Sequence, residues 1–290
     1  MLAEIEKVLG TGAAREVAAW PAATPADEAG ARALTALCRG RGWRLHPWAG
    51  GEPPSRELPP ETVLVTPGPG LTGEFALAAA DYYCEAPATM TADELERMLD
   101  ETPLWLPFAA PAYLRMTSAE LVARYPANAF APAYGELYRF LFGLSFVNDD
   151  GELVSTGRRT IKGVAGYDLS KLFLGSRGRA GLITRVRLRL FRRPAEAAFW
   201  RAKTPSAGAP EIAGRVCLLR ADGETLAYAD GHPGDVDDAA EALRRAMPDL
   251  AEVSRGDAAS RDFAAAVAAL PYRPPADPPG AAPAFSDLYI

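Results

Sequence analysis

Histidine and cysteine are scarce in this chain, and the scarcity removes several kinds of chemistry at the outset. The 290 residues contain two histidines, His46 and His232, and three cysteines, Cys38, Cys84 and Cys217. The cysteines stand alone, with no CxxC spacing, so neither a disulfide framework nor a zinc or iron–sulfur site is indicated. With so little histidine, a His-based general base is poorly supported, and no Ser/His/Asp or Cys/His set is recognisable. Long apolar runs are also missing: none approaches the ~20 residues that span a bilayer. The start, MLAEIEKVLGTGAAREVAAW, lacks the basic opening and long apolar stretch of an export signal. A cytoplasmic location is the expectation. No internal repeat is visible.

What is present is an ordinary soluble composition, 49% apolar and 23% charged, enough for one large or two modest domains. The net charge of −6 is unevenly spread. From Thr156 to Arg193 there are eleven Lys/Arg and one acid, Asp168, a local +10 that leaves −16 elsewhere. Such a segment suits an anionic ligand, an acidic partner surface or a solvated strand face. Nucleic acid is not expected, because the chain as a whole is acidic and its arginines are not interleaved with aromatics.

Residues 24–40 read as a helix, with Thr24 as cap, Pro25 in the first turn and Gly40 at the end. Strand-like WRLHP (43–47) and ETVLVT (61–66) follow. DYYCEA (81–86) reads as another strand. Thr91 and Glu94 form a capping-box pattern that opens TADELERMLDE. GLSFVNDDGELVSTG (143–157) reads as a hairpin turning at Asp150-Gly151. In LITRVRLRLF, Leu182, Val186, Leu188 and Leu190 fall on one side, and Arg185, Arg187 and Arg189 on the other. Residues 195–210 look like a boundary. Beyond them lie a hairpin at Asp222-Gly223 and a helix, DVDDAAEALRRAM, and the Pro-rich end reads as extended or disordered. His46 is expected at a strand end and His232 in a turn. Asp149-Asp150 and Asp237-Asp238 suit a turn and a helix start. Alternating strands and helices argue for an α/β or α+β protein.

The most informative stretch is KGVAGYDLSKLFLGSRGRAGLIT (162–184), a glycine-punctuated turn, a short amphipathic helix over 169–174 capped by Asp168, a second glycine loop and a strand. Tyr167 is expected in the core and Lys171 in solvent. With the hairpin before it and RVRLRLFRRP after it, the stretch resembles the FAD-linked oxidases of the vanillyl-alcohol-oxidase, or PCMH, type. Within that group it looks most like the glycolate oxidase E subunit, whose pattern is KNVAGYDLxKLxxGSxGTLGxIT. Upstream, WRLHPWAGGEP resembles the PRGGGT loop, and TADELERMLDETPLWLPFAAP resembles a helix and "WLPLDPP". The resemblance covers about residues 15–194.

The resemblance implies an α+β, PCMH-type FAD-binding fold of two α/β lobes over 1–194, then a short β-β-α, cap-like part over 195–270 and a Pro-rich tail over 271–290. It implies noncovalent FAD, because His46 does not match the covalent-flavin position. Clustered backbone N–H groups in glycine loops would hold its pyrophosphate. The implied cofactor-binding positions are Gly50 and Gly51 in the first loop, Thr117 and Ser118 in the second, and Gly178, Gly181, Leu182 and Ile183 in the third, where the glycine–strand junction lies along the adenine end. No catalytic residue is implied. The implied function is that of an FAD-binding subunit acting on a 2-hydroxy acid such as glycolate, beside a flavin-bearing D-type and an iron–sulfur F-type subunit.

The sequence departs from the family pattern at three places. Trp48, Ala49 and Glu52 stand where Arg, Gly and a hydroxyl residue are usual. The second loop, TxGGxxATNxxGxxRxxYG in the family, reads TSAELVARYPANAFAPAYG (117–135), with Ala119-Glu120 for the glycine pair. A strand that should end Glu-Ala-Gly reads Glu85-Ala86-Pro87. Glu52 and Glu120 are expected to bring negative charge toward a pyrophosphate, each at about 4 kcal/mol for a contact at ~4 Å, unless the carboxylates point away from the site or Arg177 and Arg179 offset them. A noncatalytic flavin-fold subunit that has lost FAD and docks a flavin-bearing partner is therefore the alternative.

Overall fold

The computed structural model describes residues 1–48, 61–157, 168–176, 178, 180–203, 214–221 and 223–270. The first lobe contains α1 (Leu2–Leu9), β1 (Ala14–Val17), β2 (Trp20–Ala23), α2 (Glu28–Arg41), β3 (Arg44–Pro47) and β4 (Thr62–Val65). Its sheet runs β1-β2-β4-β3, with β4 parallel to both β2 and β3. Helix α2 begins later than its sequence suggests. Thr24 is held in the sheet edge by donating its N–H to the Ala13 carbonyl, and Asp27 caps the helix by accepting from the Gly30 N–H at 2.8 Å. Gly42, left-handed at φ 70°, ends it in place of Gly40.

The second lobe follows as α3 (Pro69–Thr72), β5 (Ala76–Ala78), β6 (Tyr83–Pro87), α4 (Ala92–Leu99), β7 (Leu104–Trp105), α5 (Ser118–Arg124), α6 (Ala131–Tyr134), α7 (Leu137–Phe140), β8 (Leu141–Val147), β9 (Leu153–Gly157), β10 (Leu182–Arg189) and β11 (Phe191–Arg192). Its sheet is antiparallel, in the order β5-β6-β10-β8-β9. The capping box at Thr91 and Glu94 forms, and β8 and β9 make the hairpin around Gly151, at φ 77°. The arginine stripe of β10 meets its acid inside the sheet. Arg185 and Arg187 both pair with Glu85 of the adjoining strand β6, Arg185 at 3.2 Å.

The stretch expected as a boundary, 195–210, opens on regular structure at residues 196–202. They form β12 (Glu196–Ala202), an inner strand of a third sheet with β13 (Arg215–Ala221), β14 (Glu224–Gly231) and β15 (Ala251–Arg255), in the order β13-β14-β12-β15. Both faces of β12 are buried. Ala198, Trp200 and Ala202 pack with α8 (Pro233–Ala246), and Phe199 packs with α9 (Asp257–Ala268) and the second lobe. A strand covered on both sides carries no alternation to read. The expected hairpin and helix are present as β13, β14 and α8, whereas β15 and α9 carried no distinct sequence signal. The tail over 271–290 lies outside the described residues.

One apolar core joins the second lobe to the third sheet. Phe130 meets Tyr228 and Phe263, each at 4.9 Å between ring centroids, and Trp105 meets Tyr134 edge-on at 5.4 Å. A second core, with Ile5, Leu34, Cys38, Val63 and Val65 from the first lobe and Val147 and Leu182 from β8 and β10, closes the junction of the two lobes.

Candidate functional site

The third loop of the motif opens on a short 3-10 helix, Leu169–Phe173, whose first turn is capped by Asp168 accepting from the Ser170 N–H at 3.2 Å. Lys171, expected in solvent, is tied down. Its Nζ donates to the carbonyls of Tyr138, at 2.8 Å, and Leu141, which fixes the helix to the start of β8. Gly175 then donates its N–H to the Val122 carbonyl of α5. Gly178 and Gly181 take φ of 80° and 135°, a region that favours glycine. At Gly181 a side chain is excluded by the fold itself, since a Cβ there would lie 2.8 Å from the Val147 carbonyl oxygen.

Gly178, Gly181 and Leu182 border a cavity of about 570 Å³. Pro25, Pro47 and Val65 lie at or just beyond the carboxyl ends of β2, β3 and β4 and form one end of it. The α2 face with Leu34, Thr35 and Cys38 forms a wall, and the β8–β9 turn with Asn148 and Asp149 faces that wall. Open α/β sheets present ligand sites at the carboxyl ends of their parallel strands, and mainly apolar pockets of this size suit a small organic ligand. Arg39 and Arg44 supply positive charge at the rim. Arg39 is engaged with the hairpin, donating to the Asp149 carbonyl at 2.7 Å and pairing with Asp150 at 3.2 Å. Arg44 makes no ion pair among the described residues.

Ile183 is buried in the core of the second lobe and does not border the cavity. Thr117 and Ser118 do not border the cavity; they are buried at the start of α5. Glu120, expected to bring negative charge toward a pyrophosphate, is buried and compensated. One carboxylate oxygen accepts from the Thr117 N–H at 2.8 Å, and the other accepts from Arg124 at 3.0 Å. Gly50, Gly51 and Glu52, with Lys162, Tyr167, Arg177 and Arg179, lie outside the described residues. Trp48, where the family has Arg, is buried with Ala22 and Leu64, donates its N–H to the Val65 carbonyl, and carries the Arg15 guanidinium 5.8 Å from its ring centroid.

Burial pushes the Cys38 thiol, on the cavity wall, up to about 11, so it is a thiol and not a nucleophilic thiolate at neutral pH. Burial pushes the Cys84 and Cys217 thiols up to about 12. His46 is fully buried, and burial lowers its imidazole to about 3. The contributions of α2 and the hairpin to the cavity were not visible in the sequence, because they depend on a contact 110 residues apart, Arg39 with Asp149. No described helix is long and apolar enough to cross a membrane.

No protein-family model matches the chain. Among curated proteins, it is 34% identical over 105 residues to the probable mitochondrial D-lactate dehydrogenase of Danio rerio, over 35% of this chain and 21% of that one. It is 39% identical over 61 residues to glycolate oxidase subunit GlcD of Bacillus subtilis, over 21% and 13% of the two chains. It is 32% identical over 101 residues to glycolate oxidase subunit GlcE of Escherichia coli, over 34% and 29%. The chain thus spans less than a third of the length of each of these relatives. Among solved structures, 4-ethylphenol oxidase from Gulosibacter chungangensis superposes with a TM-score of 0.65 at 13% identity, over 90% of this chain and 67% of that one. Xylooligosaccharide oxidase from Myceliophthora thermophila gives 0.62 at 13%, over 86% and 55%. The chain therefore has the two-lobed PCMH-type fold of the FAD-linked oxidases of the vanillyl-alcohol-oxidase group, and in sequence it is similar to glycolate oxidase subunits, GlcE among them, and to D-lactate dehydrogenases.

Proposed function

We propose that this chain is an E-type subunit of a glycolate oxidase-like 2-hydroxy-acid oxidoreductase, binding FAD noncovalently beside Gly178, Gly181 and Leu182. The observation that carries this is the 570 Å³ cavity at the carboxyl ends of three strands. Its chemistry fits one end of a dinucleotide. Leu34, Pro47, Val65 and Leu182 offer apolar walls to a flat ring, the glycine backbone allows close approach, and Arg39 and Arg44 set positive charge at the rim. Bound flavin would supply the capacity to accept an electron pair from the substrate. The chain's own part is to hold and orient: Lys171 pins the motif helix to β8, and the Arg39–Asp150 pair pins the hairpin against α2. On this reading residues 1–194 form the FAD-type domain, 195–270 a reduced cap, and a flavin-bearing D-type and an iron–sulfur F-type subunit are the partners.

Co-expression with candidate D-type and F-type subunits, followed by purification through a tag on this chain, tests the proposal. The expected result is a complex that oxidises glycolate or D-lactate and whose tagged chain alone shows the flavin absorbance band after incubation with FAD. A tagged chain that recovers no such subunit and stays colourless would remove it. A second reading, a flavin-fold subunit that supports a partner's flavin and holds none, is favoured by the occupied backbone N–H groups at the start of α5. It predicts a complex in which all flavin resides on the partner.

A further inference from the structure

We infer that the start of α5 is a staple between two parts of the second lobe and not a ligand cradle, so that a dinucleotide is held from the cavity side alone. The inference rests on the nucleotide reading of the cavity. The donors decide it. The Thr117 N–H goes to Glu120 Oε2 at 2.8 Å, the Ser118 N–H to the Met90 carbonyl at 2.8 Å, the Ala119 N–H to the Ala88 carbonyl at 3.0 Å, and the Glu120 N–H to Thr117 Oγ1 at 3.2 Å. The groups that a helix start leaves open are therefore all filled by the protein. An anion arriving there would have to break two backbone hydrogen bonds and displace a carboxylate already paired with Arg124.

What the turn does instead is equally visible. Thr117 lies opposite Thr91 in an antiparallel bridge, and the Ala92 N–H donates to the Met116 carbonyl. The Ser118 hydroxyl adds a bond to the Met90 carbonyl at 3.1 Å. Two capping boxes, Thr91 with Glu94 and Thr117 with Glu120, thus stand side by side and lock the starts of α4 and α5 together. The lock extends to β10, because the Ala88 N–H donates to the Thr184 carbonyl, next to Ile183. Thr117, Ser118 and Glu120 are 3%, 3% and 5% exposed, so the turn is closed to solvent as well as fully bonded.

Titration of FAD into the purified full chain, followed by quenching of flavin fluorescence, tests this in parallel with thermal unfolding. Thr117→Val and Glu120→Gln are expected to lower Tm by about 2–4 °C while changing the Kd for FAD by less than about threefold. Thr35→Trp, which fills the cavity from a half-buried position on α2, is expected to weaken FAD by at least about tenfold with little change in Tm. If Thr117→Val does not fold, Glu120→Gln still decides, since glutamine can serve the same capping position. Loss of about tenfold or more in FAD affinity in an α5 variant of unchanged Tm would overturn the inference and leave the nucleotide reading standing. No binding of FAD to the unaltered chain would overturn the nucleotide reading and the inference with it.

Discussion

His46 sits in β3 opposite Leu64 of β4, fully buried, and neither ring nitrogen has a hydrogen-bond partner among the described residues. Burial disfavours the charged imidazolium, and the group stays neutral down to about pH 3. In the unfolded chain the ring takes its proton near pH 6.5, so between these values the unfolded state binds more protons. His46 therefore leaves stability intact above about pH 6.5 and lowers it as the pH falls toward 3, by about 1.4 kcal/mol per unit. His46→Leu removes that penalty. Urea denaturation is expected to show the variant gaining about 2 kcal/mol on the parent between pH 7 and pH 5. Equal acid sensitivity of the two proteins would show that the ring is solvated. The sequence locates this histidine at a strand end but not in the core, because its cover comes from a strand 18 positions away. Gly181 teaches a similar lesson. The need for glycine is legible, yet its cause includes the Val147 carbonyl across the sheet, which local sequence does not reveal.

Secondary elements show which signals are local enough to read. The α4 box was legible because Thr91 and Glu94 stand at the right spacing ahead of an apolar periodicity. Thr117 and Glu120 carry the same spacing, at the place where the family pattern has a glycine pair in the positions of Ala119 and Glu120. Alternation in β10 correctly separates a buried face from a basic one, but the acid that answers the basic face lies 102 positions from Arg187. Arg185, Arg187 and Glu85 are all at least two-thirds buried, so this is a stronger interaction than an exposed pair. Glu85→Ala leaves two guanidinium groups on one face without their shared carboxylate. Chemical denaturation is expected to show a loss of about 2 kcal/mol, with the gap between variant and parent narrowing in high salt. A variant as stable as the parent at low salt would show that the stripe is satisfied by water.

On the scale of the whole molecule, the third sheet shares one apolar core with the second lobe. Phe130 and Tyr134 come from a stretch with no clear periodicity and Phe263 from an unforeseen helix, so the sequence conceals that they meet. At the seam lies a buried carboxylate. Asp230 of β14 accepts from the Tyr134 hydroxyl of α6 at 2.6 Å, the Tyr228 hydroxyl at 2.9 Å and Arg215 at 3.4 Å, and Tyr228 in turn shares a hydrogen bond with Ser260 of α9 at 2.9 Å. Burial pushes the Asp230 carboxyl up, while the two tyrosines and Arg215 hold it back. Such a network is favourable when complete and costly when one member is missing. Asp230→Ala removes the carboxylate that accepts from two buried hydroxyls and is expected to cost about 3 kcal/mol, whereas Asp230→Asn keeps an acceptor and is expected to cost about half as much. Because the aromatic core crosses the seam, calorimetry is expected to show one cooperative transition for parent and variants alike, shifted down in Tm. Two separate transitions in the parent, or an Asp230→Ala variant that loses only the later of two steps, would mean that the third sheet folds independently and that the seam is a docking contact between finished parts.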